Sequence, residues 1–354
     1  MKKHSAIFLL GTLFLVVPLA AKIKVFTIWG YEEMDNPLLE EVLASPTMER
    51  LKSIDQSGPT RYFGLAPYFS RYDHCVGVWA LLKRAGAPVQ EQVAGLLHDA
   101  SHTAFSHLAD LLFKHDEVTH NGCYQDSIHE WFLEQMKIPA ITNNHGISLT
   151  MLNPDNHAYT ALERPSPHLC ADRIQYNIHT GVIFHRINQQ DAQEIVNDLH
   201  FEKGQWFFTT PAIARKFADL SVAFTRYVWG SEYNHAFYQL FTQAMQLALK
   251  DKLITKDEIH FGTDEKILKK LQTSKNKTIK DILKRCENIY AQFKAVPYGK
   301  GECNFKPKCR AIDPLVRISK NKYKQLTALD PSFKKEFEAV KKWCEKGYGI
   351  VFIK

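Results

Sequence analysis

The sequence predicts a mainly α-helical fold with a small mixed α/β part at its C-terminal end. Three observations carry this. Apolar residues recur at spacings of three and four along most of the chain from Pro37 to Phe293. Runs rich in branched and aromatic residues are confined to Cys309–Ser319 and Gly349–Lys354. No internal repeat or low-complexity tract interrupts the pattern.

The first 21 residues stand apart. Lys2, Lys3 and His4 form a basic start, and Ala6 to Ala21 is uncharged. That run is short for a bilayer span, which needs about 20 residues. A basic start, a short apolar run and small residues at Ala20 and Ala21 read as a secretory signal, so residues 1–21 predict export to the periplasm or beyond. The alternative is an uncleaved anchor, the one case in which membrane attachment is expected. Residues 22–295 then form the helical domain and 296–354 the small α/β part.

Within the helical domain, Pro37–Ile54 carries Leu38, Leu39, Val42, Leu43, Met48, Leu51 and Ile54 on helical spacing, broken and restarted at Ser45-Pro46. Ser57–Pro67 holds two glycines and two prolines and reads as loop. His74–Arg84 is an amphipathic helix, and Pro88 opens the next, which runs to His98 and Asp99. Helices are expected again from Phe105, over His120–Met136 and Pro165–Ile178, and as one or two long helices over Phe217–Lys252. Thr263–Leu271 and Thr278–Phe293 follow. In the C-terminal part, Asp330–Glu345 is a helix between the two strand-like runs.

Composition narrows the function. Of 354 residues, 45% are hydrophobic and 23% charged, enough for a sizeable core, and the formal charge is +7. A modest positive excess spread over a long chain suits anionic small molecules. Nucleic-acid binding needs a clustered stripe, and the Lys-rich stretch Lys266–Lys284 reads as a solvated helix face, so no specific nucleic-acid binding is expected. Seven cysteines leave at least one unpaired. Cys303 and Cys309 flank a short loop and are the expected pair. No CxxC occurs, so a structural zinc site of the usual spacing is unsupported.

Histidines cluster. Six of the sixteen are His74, His98, His102, His107, His115 and His120. Leu97 to Asp110 reads LHDASHTAFSHLAD, imidazole and carboxylate alternating in an apolar frame. Burying such groups is costly unless a cation or hydrogen bonds compensate. His98 and Asp99 diverge by about 100° on a helix, yet both can reach a cation over the helix end. His74 on the preceding helix and Asp172 on a later one complete a set of two imidazoles and two carboxylates. That set suits one divalent ion (Mn, Fe, Co, Ni, Zn or Mg), with positions left for water and substrate oxygen. Outside this set, His129 and His145, like His115, read as surface histidines.

Three segments together, RYDH (Arg71 to His74), HDASHTAFSH (His98 to His107) and ADR (Ala171 to Arg173), resemble the HD-domain superfamily of metal-dependent phosphohydrolases. Within it the pattern is nearest to the deoxynucleoside triphosphate triphosphohydrolase branch. SPTMERLKSIDQ (Ser45 to Gln56), Thr119-His120 and AIDPLV (Ala311 to Val316) resemble further segments of that branch. The resemblance implies an HD-type helical fold and His74, His98, Asp99 and Asp172 as metal ligands. It implies phosphate contacts from Arg71 and Arg173, and acid–base or nucleophilic work for His102, His107 and His120, supported by Asp110. Gln56 and Tyr176 fall where the branch meets the sugar. The branch continues D-x-x-D-Y-x-x-R-D after its metal aspartate, whereas Asp172 to Thr180 reads DRIQYNIHT. Gln175, His179 and Thr180 replace an Asp, an Arg and an Asp. The changes fall on the sugar grip and spare the metal set.

The expected activity is hydrolysis of a nucleotide phosphoester, with a (deoxy)nucleoside triphosphate as one candidate substrate. A signalling nucleotide is another, although no GYP triplet follows the HD pair as in the cyclic-dinucleotide subtype. The non-catalytic alternative is an exported module that senses a nucleotide or binds a host protein. Members of the branch often assemble into homo-oligomers, but no interface signature appears in this sequence.

Overall fold

The computed structural model describes residues 22–114 and 123–353. The export signal expected in residues 1–21, and His115 and His120, lie outside them. The chain starts with an antiparallel hairpin, β1 (Ile23–Thr27) and β2 (Gly30–Met34). The apolar stretch after Pro37 splits into α1 (Pro37–Leu43) and α2 (Pro46–Leu51), capped by Asn36 and Ser45 with proline in each first turn. Next come α3 (Arg71–Arg84), α4 (Val89–Leu97), α5 (Leu108–Leu112), α6 (Tyr124–Gln135) and α7 (Ile138–Thr142). Helices α8 (Ala171–Ile183) and α9 (Gln189–Asn197) lead into a second hairpin, β3 (Leu199–Glu202) and β4 (Gln205–Phe208). Helices α10 (Pro211–Phe224) and α11 (Glu232–Lys250) are joined through a π-turn at Thr225–Trp229. Helices α12 (Lys256–Phe261), α13 (Asp264–Gln272) and α14 (Lys277–Glu287) close the helical body.

The tail holds β5 (Phe293–Pro297), β6 (Cys303–Phe305), β7 (Leu315–Ser319), β8 (Lys322–Gln325), α15 (Pro331–Lys346) and β9 (Tyr348–Phe352). It is sewn into the helical body. β7 pairs in parallel with β4 through Phe208 and Val316, extending the second hairpin to four strands in the order β3-β4-β7-β8. β9 lies between β5 and β6 and puts Ile350 into the core beneath α11.

Several expectations shift. The helix expected from Pro165 begins only at Ala171, because the proline-rich stretch before it stays irregular. The one expected to reach Phe293 stops at Glu287. The first strand-like run is extended only from Leu315. The two early hairpins were not read from the sequence, since their strands of four or five residues show too few alternations to stand out. The expected Cys303–Cys309 disulfide is absent. All seven cysteines are free, the Cys309 thiol lies against Cys344, and Cys303 Sγ faces Gln239. Among the described residues, no helix is long and apolar enough to cross a membrane.

Two apolar cores organise the body. One gathers α1–α4 and α8–α10, the other α11–α14 with Ala104, Phe105 and Leu108. The segment 98–107 crosses from the first to the second, with Ala100 in one core and Phe105 in the other. Two helical glycines let the first core close tightly. A Cβ on Gly77 of α3 would lie 2.5 Å from the Gln175 side chain of α8, and one on Gly95 of α4 would lie 2.3 Å from Leu82.

Past the crossing, Phe105 and Ser106 adopt left-handed backbone conformations, φ 62° and 56°. Each costs a non-glycine residue about 1 kcal/mol. Asp264 holds this turn: its Oδ1 accepts the Phe105 N–H at 2.6 Å and its Oδ2 the Asp55 N–H at 2.9 Å. Burial raises the Asp264 carboxyl from 3.8 to about 6 and that of Asp55 to about 7, against the pull of the N–H groups they accept. Between the unfolded and folded values the folded chain keeps protons that the unfolded chain has released. Stability from these two groups is therefore present at low pH and lost as pH rises through about 6 to 7. In metal-free protein, melting temperature should fall between about pH 5 and pH 7.5 from this source. Asp264→Asn should cost about 1–3 kcal/mol through a lost acceptor and flatten that fall. An unchanged slope in the variant's calorimetric pH profile would show that Asp264 holds no proton.

Candidate metal centre

Three helices deliver the donors. His74 lies in the first turn of α3, whose N-terminus is capped by Ser70 accepting the Asp73 N–H at 3.0 Å. His98 is the C-cap of α4 and Asp99 follows it. Asp172 is the second residue of α8. The structure brings all four together. His74 Nε2 is 3.1 Å from His98 Nε2, 3.0 Å from Asp172 Oδ1 and 3.4 Å from Asp99 Oδ2. His98 Nε2 is 3.6 Å from Asp99 and 3.8 Å from Asp172.

The donor chemistry fits a cation. His98 Nδ1 faces the Gly95 carbonyl at 2.8 Å, and His74 Nδ1 the Gln175 amide oxygen. Both oxygens only accept, so both Nδ1 atoms carry protons. The two Nε2 atoms then point at one another among carboxylates, and a positive charge must lie between them. Donors about 2.1 Å from a common centre lie about 3.0 Å apart at right angles and about 3.4 Å apart in a tetrahedron. The observed spacings are close to that range. Burial disfavours charge on His98, yet Asp99 and Asp172 draw its imidazole well above the usual range, so a proton holds the place when no ion does. An ion must displace that proton, and its affinity therefore weakens as pH falls.

A second layer fixes the first. Arg71, 2% exposed, donates Nη1–H to Asp99 and Nε–H to Ser106 Oγ at 2.9 Å. Burial opposes ionisation of Asp99, but Arg71, His98 and His102 hold its carboxyl well below the usual range. Gln175 is 1% exposed; its Nε2–H donates to His179 Nδ1 at 3.3 Å, and the His179 ring stacks on Phe69 at 3.7 Å. Amide, imidazole and phenyl thus lock the His74 tautomer from behind.

Three of these donors, His98, Asp99 and Asp172, line a cavity of about 1190 Å³ whose walls draw on both cores, with His74 buried behind them. The expected site residues within the described chain line it: Gln56, Arg71, His102, His107, Asp110, Arg173 and Tyr176. Four of them present buried polar atoms with no partner among the described residues, namely Gln56 Oε1, Arg71 Nη2, His102 Nδ1 and Tyr176 Oη. His102 Nε2 meets Asp99 at 3.2 Å; burial and then Arg71 lower its imidazole to about 3, so it is neutral at pH 7. His107 is half-exposed, with Nδ1 3.3 Å from Asp110 Oδ2. Asp110 also accepts the Tyr124 N–H at 2.8 Å. Burial works against the Asp110 charge, but His107 pulls its carboxyl below the usual range. Arg173 is engaged at the cavity wall: Nη1 donates to the Arg164 and His168 carbonyls, and Nη2 lies 3.9 Å from Glu163.

His129, read as a surface residue, is 6% exposed, with Nδ1 3.1 Å from Ser101 Oγ. Sequence reasoning missed one wall entirely. Trp229 in the π-turn and Tyr233, Asn234, His235 and Tyr238 on α11 line the cavity, and Trp229 meets the Tyr176 ring edge-on at 5.1 Å. The cluster YNHAFY was the available signal. It passed as ordinary helix because nothing local says which face is wet.

Comparison with known proteins gives several relatives. An uncharacterized protein of Bacillus subtilis, YdhJ, is 30% identical over 92% of this chain and 98% of its own length. The metal-dependent phosphohydrolase cns2 of Cordyceps militaris is 39% identical over 49% of this chain and 48% of its own. The deoxynucleoside triphosphate triphosphohydrolase SAMHD1 of Xenopus laevis is 34% identical over 25% of this chain and 16% of its own. A crystal structure of a phosphohydrolase from Bacteroides thetaiotaomicron shares the fold, with TM-score 0.67 and 14% identity over 93% of this chain and 98% of that one. No family model matches the chain.

Removing the Gln175 acceptor should loosen His74. Gln175→Leu, close in volume, is expected to weaken Mn²⁺ binding about 10- to 100-fold by titration calorimetry. Unchanged affinity would leave the amide with only a packing role.

Proposed function

The chain belongs to the HD-domain superfamily of metal-dependent phosphohydrolases, and from that premise we propose that it hydrolyses a nucleotide phosphoester, with a (deoxy)nucleoside triphosphate as the first substrate to test. His74, His98, Asp99 and Asp172 are the proposed ligands of one divalent ion. A divalent ion there supplies Lewis-acid charge to a phosphoryl oxygen and acidifies a bound water. The carrying observation is the set of four buried polar atoms, without partners among the described residues, on the cavity that His98, Asp99 and Asp172 line. Leaving such atoms unpaired costs about 1–3 kcal/mol each, a penalty that a polar ligand removes.

Their chemistry assigns parts. Arg71 Nη2–H is free to donate to a phosphoryl oxygen while Nη1 stays on Asp99. Neutral His102 acts as a hydrogen-bond partner rather than an acid. His107, half-exposed and backed by ionised Asp110, is the proposed proton donor to the leaving oxygen. The Tyr176 ring forms the face for the sugar, and Gln56 Oε1 accepts from a hydroxyl. Thr180 also lines the cavity but carries no carboxylate to accept from a sugar hydroxyl, so a weaker grip on the sugar is expected.

A nucleotide panel with Mn²⁺, scored separately for phosphate, pyrophosphate and triphosphate, tests the reading. Triphosphate release supports the triphosphohydrolase assignment, and monophosphate release moves the substrate to a phosphomonoester. His107→Gln should lower kcat about 10²- to 10⁴-fold with Mn²⁺ content unchanged. Asp99→Ala should lose both metal and turnover. Turnover retained without bound metal would overturn the assignment.

A further inference from the structure

Three arginines near the metal donors are already engaged by the protein. Arg71 is held by Asp99 and Ser106, Arg173 by two carbonyls, and Arg164 donates to the Gly204 carbonyl at 3.1 Å. Two further cations line the same cavity, Lys308 and Arg310, both from the segment between β6 and β7. Among the described residues neither has a hydrogen-bond or ion-pair partner, although Arg310 is half-buried. A guanidinium held partly out of water with no anion beside it is unfavourable unless an anion arrives.

The backbone around Arg310 is fixed on both sides. Pro307 is buried against the π-turn, where a Cβ added at Gly230 would lie 3.1 Å away. Ala311 and Ile312 are buried, and the Ile312 N–H donates to Ser221 Oγ at 2.9 Å. Asp313 accepts from the Thr327 N–H and hydroxyl at 3.0 and 2.7 Å. Arg310 is therefore presented to the cavity by an anchored strand of chain. Its charge reaches the Tyr176 hydroxyl, and that of Lys308 reaches Cys123 at the start of α6. All four residues line the cavity, and the segment that carries Lys308 and Arg310 supplies none of the proposed metal ligands.

We propose that Arg310, seconded by Lys308, binds a second phosphoryl group of the substrate, distinct from the one cleaved beside the metal donors. The inference rests on the phosphohydrolase reading of this cavity. A planar guanidinium fork matches two phosphate oxygens at once, whereas an ammonium offers a single point of charge. The substrate class is then a nucleotide with at least two phosphoryl groups. These are either successive along one chain or placed at two positions of the nucleoside.

Calorimetric titration of the Mn²⁺-loaded protein separates these cases, using inorganic phosphate, pyrophosphate, tripolyphosphate and adenosine 3′,5′-bisphosphate as probes. The wild-type protein should bind at least one probe with two or more phosphoryl groups more tightly than phosphate. Arg310→Gln should remove that advantage by about 10- to 100-fold while phosphate affinity, Mn²⁺ stoichiometry and melting temperature stay unchanged. Arg310→Lys should restore part of it. Loss confined to the pyrophosphate and tripolyphosphate arms supports a chain of phosphates, and loss confined to the bisphosphate supports two separate positions. Wild-type affinities for every probe in Arg310→Gln would overturn the second phosphate site and leave the metal centre standing. Failure of phosphate itself to bind the loaded wild-type protein would overturn the phosphohydrolase reading and this proposal with it.

Discussion

Two imidazole nitrogens held 3.1 Å apart with their lone pairs converging are the constraint on which the rest depends. Left alone, they and the two carboxylates beside them would repel or trap a proton. The fold forces the meeting through packing. Gly77 lets α8 come down on α3, so Gln175 reaches the back of His74, and Gly95 lets α4 close on α3, so His98 ends its helix beside that imidazole. Neither approach tolerates a methyl group without movement. Stability released by burying the apolar faces of three helices is thereby used to hold polar atoms in a geometry they would not adopt in water.

The same logic runs outward along segment 98–107. It leaves the first core as metal donors and enters the second as Phe105, turning through two left-handed residues between. Such turns persist when neighbours over-determine them. Asp264 supplies one restraint, and Ser106, bonded to Arg71 and to the Asp55 carbonyl, supplies another. Arg71 thereby links the turn to Asp99, a proposed metal ligand. A change at α13, far along the sequence, would be felt at the donors through Asp264, Phe105 and Ser106.

What was legible in the sequence was local chemistry. The LHDASHTAFSHLAD run is too rich in ionisable groups for an apolar helix, so its donors could be named from residue types alone. The positions of α3, α4, α10, α11 and α15 followed from apolar spacing within a few residues. What was not legible was long-range placement. Gln175 reads as a loss against the D-x-x-D pattern, yet in the fold it is the partner that orients His74. Arg173 is a phosphate contact by resemblance, and nothing local in the sequence names the Arg164 and His168 carbonyls to which its guanidinium donates at the cavity wall. The α11 wall carries ordinary helical spacing, and only tertiary packing decides that Tyr233 and His235 face a cavity.

The tail shows the difference most sharply. As sequence it is a small α/β appendage with no site residue assigned to it. As structure, β7 joins β4, β9 contributes to the second core, and the chain between β6 and β7 lines the cavity with Lys308 and Arg310. A metal centre of this kind supplies one concentrated positive charge, and Arg71 is half-engaged in neutralising Asp99. Any further negative charge on a ligand must be met elsewhere. The only cationic side chains on the cavity wall that the described residues leave unpaired come from this segment, which is why the C-terminal part belongs to the site rather than beside it.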